Sequence, residues 1–164
     1  MRGFGYNQAG PRDIGTANQT PGPVTATPTG FPIGGNGLFF NTFELRFPLL
    51  GPNISGVLFH DMGNIYSNFG DISVRYTQTN NQDFNYAVQA VGFGVRYKTP
   101  IGPVRVDIAY TPNPPRYLGF SQNESIQDLI ACTPEKIKMM AQGCVASPQR
   151  LSNIQFFFSI GQAF

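Results

Sequence analysis

The chain has 164 residues, 12% of them charged, 41% hydrophobic, and a formal net charge of +2. That is room for one domain, with about half the charge usual on a soluble surface. No window of about 18 consecutive apolar residues exists, which excludes a transmembrane helix, and no Lys/Arg run is dense enough for a nucleic-acid partner. With 15 Phe, 7 Tyr, 19 Gly and 14 Pro, the composition points to an all-β protein rich in turns.

The opening MRGFGYNQAG lacks the charged start and apolar core of a secretory signal. The expectation is therefore a cytosolic protein or the tail of a longer exported one. Residues 7–37 are Gly-, Pro-, Thr- and Asn-rich, which is loop chemistry too long for a tight connection. Five strands are predicted after it, over 38–48, 54–63, 86–98, 103–111 and 153–164. Successive side chains of a strand point to opposite faces. Phe39, Phe43, Leu45 and Phe47, with Asn41, oppose Thr42, Glu44 and Arg46 in the first strand. Leu58 and Met62 oppose Asp61 in the second, and Val91, Phe93, Val95 and Tyr97 oppose Gly92, Gly94, Arg96 and Lys98 in the third. Val104, Val106, Ile108 and Tyr110 oppose Arg105, Asp107 and Ala109, and Phe156, Phe158, Ile160 and Phe164 oppose Gln155 and Ser159.

A soluble β-sandwich would also alternate. Three features favour lipid on the apolar face. The strands are about 9–11 residues long, the length a tilted strand needs to cross a bilayer. Tyr and Phe cluster near strand ends. Connections also alternate: LLGPN is short, 64–85 long, TPIGP short, 112–152 long. The fold class expected is an antiparallel transmembrane β-barrel, of which the chain carries only the C-terminal portion, about five strands with long extracellular loops. Glu44, Arg46, Asp61, Arg96, Arg105 and Asp107 are then lumen charges, and His60 lies on the lipid face near the outer end of its strand.

A resemblance rests on RGF at Arg2, Gly3 and Phe4, PIGGN at 32–36, FELRFPL, FHDMGN, the YKTPIGPVRVDIAY hairpin and a terminal FFFSIGQAF. In that order these resemble the C-terminal end of the BamA/TamA family of outer-membrane assembly barrels, the bacterial surface antigen family. The resemblance implies an outer-membrane location in a Gram-negative-type bacterium and a division into an extracellular loop, 1–37, folding into the lumen, and closing barrel strands, 38–164. It implies that Arg2 of the RGF motif meets Glu44 or Asp61, a charge-assisted contact between guanidinium and carboxylate. It also implies a β-signal at Phe156, Phe158, Ile160, Gly161 and Phe164, with Gly161 resembling the glycine that kinks the closing strand. Such a strand forms a weak seam that templates the strands of client proteins by edge pairing. Partners implied are outer-membrane lipid, client outer-membrane proteins, upstream strands and periplasmic POTRA domains not in this chain, and accessory lipoproteins. Five strands fall short of the smallest barrels, which have about eight.

Cys132 and Cys144 sit in the 112–152 loop. In an exported protein they read as a disulfide, worth about 3 kcal/mol in the chain-entropy model, with free thiols as the alternative. Two Cys and a distant His make no closed metal site, and no cofactor is expected. Enzymatic activity is not expected either. His60 is the sole histidine, and a nucleophilic triad would need it off the lipid face. GFGVRY and GPRDIG lack phosphate-loop spacing. Glu44 and Asp61, among so many arginines, read as ion-paired. The functional expectation is a BamA-like insertion barrel without covalent chemistry; a two-partner-type secretion transporter or a passive pore is the alternative.

Overall fold

A computed structural model describes residues 1–5, 8–13, 30–100, 102–119 and 147–161. Its main element is one antiparallel sheet in the order β1-β2-β3-β4-β7, built from β1 (Gly37–Leu50), β2 (Ile54–Tyr66), β3 (Val88–Thr99), β4 (Gly102–Tyr110) and β7 (Ile154–Ile160). The chain turns from β1 to β2 and from β3 to β4 at one end of the sheet, and it leaves β2 at Ser67 and β4 at Thr111 at the other. Gly51, at φ 58°, supplies the left-handed residue of the first short turn. β1 and β7 are the sheet's two edges, so the wall is open on both sides among the described residues.

Register aligns residues of like character across all five strands. Leu45 pairs with Leu58, Leu58 with Phe93, Phe93 with Ile108, and Ile108 with Phe156. This apolar row is 41–74% exposed from one edge to the other. On the opposite face Val57, Phe59, Asp61, Ala90, Asp107 and Ala109 are buried. Bare Phe and Leu over covered Asp and Ala inverts the soluble pattern, and an apolar surface this continuous is stable only against lipid. Residues 1–5, 8–13 and 30–36 pack on the covered face and at its long-loop end. Phe4 enters a cluster with Phe84, Tyr86, Val88, Tyr117 and Leu151 at the long-loop end.

Several expected boundaries move. β1 continues through Pro48 to Leu50 with a register slip between those two residues, a place where a residue without an N–H is tolerated on an edge strand. β2 runs three residues past the expected end, to Tyr66, and β3 begins at Val88 instead of 86. The loop expected over 112–152 contains two further strands, β5 (Arg116–Gly119) and β6 (Ser147–Arg150), paired antiparallel. RYLG and SPQR are too short to show alternation. β7 ends at Ile160, where Gly161 adopts φ 120°, a conformation that side chains resist. His60 occupies the middle of β2 and not its outer end, because the strand continues beyond it. Its Nε2 lies 3.2 Å from Gln89 Oε1, so the polar ring on the apolar face has a partner.

Candidate functional site

The covered face is organised around Arg2. Its backbone N–H donates to Asp61 Oδ2 at 2.9 Å, its Nε to the same oxygen at 2.9 Å, and its Nη2 to Oδ1 at 2.8 Å. That is a bidentate fork with a third bond from the main chain, the geometry for which a guanidinium is suited and an ammonium is not. Nη1 reaches Glu44 Oε1 at 2.9 Å and Asp107 Oδ2 at 3.5 Å. One loop side chain thus touches β1, β2 and β4 together. Its guanidinium carbon stands 3.5 Å from the centroid of the Phe59 ring, which adds a cation–π contact on a desolvated face.

The wall is shaped for this. Phe59 can lie flat under Arg2 because Gly92 beside it has no side chain; a Cβ there would fall within 2.9 Å of the ring. Gly94 leaves the space taken by Asp107, whose carboxylate also pairs with Arg96 Nη1 and, at 3.0 Å, with Nη2. Glu44 is shared with Arg46 at 2.8 Å, and the Arg46 side chain is largely exposed. Arg105 lines the same cavity of about 300 Å³ as Arg2, Glu44, Asp61 and Asp107. It forms no ion pair or hydrogen bond among the described residues. Gly3 lies over Ala90, and its carbonyl accepts from Thr111 Oγ1 at 3.4 Å.

The structure therefore brings Arg2, Glu44, Asp61, Arg96 and Asp107 into one network, with Arg46 at its rim. Phe156, Phe158 and Ile160 stand on the lipid side of β7. Phe164, Cys132 and Cys144 lie outside the described residues.

A second arginine was not singled out by its sequence context. Arg12 is 3% exposed. It donates from Nη1 to Gly30 O at 2.7 Å and from Nη2 to Gln8 O at 3.0 Å and Gln8 Oε1 at 2.7 Å. Its guanidinium carbon lies 4.0 Å from the centroid of Tyr117 on β5. The available signal was that Arg12 and Asp13 are the only charges in 7–37. Asn64 was also missed. It accepts from Gly10 N at 3.2 Å and donates to Phe84 O at 3.1 Å and Tyr86 O at 3.0 Å, joining three segments at the long-loop end.

A sheet greasy on its bare face, with charges and an in-folded loop on its covered face, is a segment of transmembrane β-barrel wall. The family model for the Omp85 superfamily domain matches residues 1–164, and the chain belongs to that superfamily. Its members are outer-membrane proteins. No curated protein and no solved structure matches the chain.

Proposed function

We propose that this chain supplies the in-folded loop and closing strands of a BamA/TamA-like assembly barrel, which inserts client proteins into the outer membrane of a Gram-negative-type bacterium. The observation that carries the reading is the clamp of Arg2, from RGF, on Asp61, from FHDMGN, with Glu44 of FELRF as third partner. Every polar group in it is ion-paired, so its work is to hold the loop in register with the wall, and no bond-making follows from it. The β7 edge is the template in this reading. Phe156 and Phe158 face lipid, while the outer edge of β7, unpaired among the described residues, offers its backbone to a first strand or a client strand. Upstream strands and POTRA domains complete the machine, and accessory lipoproteins assist it. A secretion transporter or a passive pore on the same plan is the second reading, favoured by Arg105, a lumen cation without an ion pair among the described residues, which would draw anions into an open channel.

The test uses the complete barrel in proteoliposomes. Arg2→Ala and Asp61→Ala are each expected to slow client insertion several-fold and to open residues 1–13 to proteinase K. Insertion at the parent rate would remove the assembly reading. The number of POTRA domains ahead of the barrel separates the two readings, several for assembly and two for secretion.

A further inference from the structure

The charges around the lumen cavity do not balance while the loop is docked. The wall contributes three carboxylates, Glu44, Asp61 and Asp107, and three guanidiniums, Arg46, Arg96 and Arg105. The charges of these six side chains cancel, and Arg2 arrives as a fourth guanidinium. The cation left over is Arg105, which lines the cavity without a partner among the described residues. Its position is not that of a stray charge. Arg46 sits two residues from Glu44 on one face of β1 and bonds it at 2.8 Å. Arg105 stands in the same relation to Asp107 on β4, one side-chain repeat away on the same face. Glu44 and Asp107 lie within reach of a single nitrogen of Arg2, so a guanidinium arriving beside Asp107 also reaches the space Arg2 fills.

We propose that Arg105 is a reserve counter-ion, which swings onto Asp107 and its neighbours when Arg2 withdraws. Removing one partner of a covered ion pair is ordinarily severe because the other charge is stranded. A cation already in the cavity removes that penalty from the undocked state, so the carboxylates have partners in two arrangements, one with the loop in and one with it out. Repulsion between Arg105 and Arg96, which face each other across β3 and β4, also falls when Arg105 turns toward the carboxylates. The inference concerns loop position and holds whichever activity the barrel carries.

The reporter is Ala90→Cys, a thiol covered by Gly3 while the loop is docked, in the full-length membrane-embedded protein with Cys132→Ser and Cys144→Ser. Labelling by a soluble maleimide reads loop withdrawal. Arg105→Ala is expected to label at least threefold more slowly than the parent, because withdrawal then strands carboxylates, and Arg105→Lys at the parent rate. Arg2→Ala is expected to label faster, with no further change when Arg105→Ala is added. Arg105→Gln gives the same comparison if the alanine variant does not fold. An unchanged rate in Arg105→Ala would make Arg105 a bystander, and a faster one would make it a brace for the docked loop; either overturns the proposal. Client insertion does not enter the measurement, so its failure leaves the assembly reading standing.

Discussion

At the residue scale, the difference between a guanidinium and any other cation decides how the loop is held. Arg2→Lys keeps the charge beside Asp61 but cannot fork across both oxygens while also reaching Glu44. Hydrogen bonds to charged groups are worth about 1.5–3 kcal/mol each, and at least one is lost. The expected outcome is a loop more readily cut by proteinase K than in the parent and less so than in Arg2→Ala. The wall has an equally local requirement at Gly94. A Cβ added there would overlap the Asp107 carboxylate and lie 2.7 Å from Arg96 Nη1. Gly94→Ala must push that pair aside, at a cost of about 1–3 kcal/mol of overpacking. A lowered unfolding temperature of the detergent-solubilised barrel, with β3 otherwise intact, checks this. The alternate glycines of GFGVRY mark close approach by neighbouring side chains, Phe59 at Gly92 and Asp107 at Gly94.

At the scale of elements, the long loops are held by amide and carboxylate stitches. Asn113 donates from Nδ2 to Tyr76 O at 2.7 Å and Ala87 O at 2.9 Å and accepts from Gln89 N at 2.8 Å. Asp83 accepts from Thr79 N at 2.8 Å and Asn85 N at 3.1 Å, and pairs with Arg75. Burial alone would raise the Asp83 pKa. The bonds from Thr79 and Asn85 and the Arg75 charge outweigh it and hold the carboxyl below the usual range. A depressed folded pKa means the ionised form favours the folded loop. That contribution is complete above the unfolded value, about 3.9, and is lost as pH falls through the folded one. Amide protection over 77–85 should therefore hold from neutral pH to about 4 and drop below it, and Asp83→Asn should flatten the profile.

The same comparison of elements shows what could be read in advance. The long strands were legible because each repeats one face for seven or more residues, so parity alone sets Leu45 and Phe93 on one face and Asp107 on the other. β5 and β6 were not, since RYLG and SPQR are shorter than the pattern that identifies a strand. The place of Arg2 against Asp61 depended on motif resemblance, for no local rule brings residues 59 apart together. Arg12 and Asn64 escaped because their partners are mostly main-chain carbonyls and amides, which leave no imprint on side-chain patterning.

At the scale of the whole molecule, the governing fact is that adjacent rows of one sheet face different solvents. The row through Leu45, Leu58, Phe93, Ile108 and Phe156 lies against lipid, and the next row, through Glu44, Phe59, Gly92, Ala109 and Gln155, lines the lumen. A charge one residue along a strand therefore changes its surroundings completely. Phe93→Arg puts a guanidinium in the central apolar row, where the cost on a barrel's lipid face is about 2–4 kcal/mol near the midplane. Gln155→Arg, in the neighbouring lumen row, keeps its side chain among polar groups and should cost less than about 1 kcal/mol. Guanidinium titration of the lipid-reconstituted barrel should separate the two variants by that margin. A water-soluble sandwich would pack the same Phe93 row into its core, so the wall reading also requires that the parent hold its fold only in lipid or detergent, and a parent that folds as a monomer without either removes it. The experiment thus tests which side of the sheet meets lipid, on which both the docked loop and the free β7 edge depend.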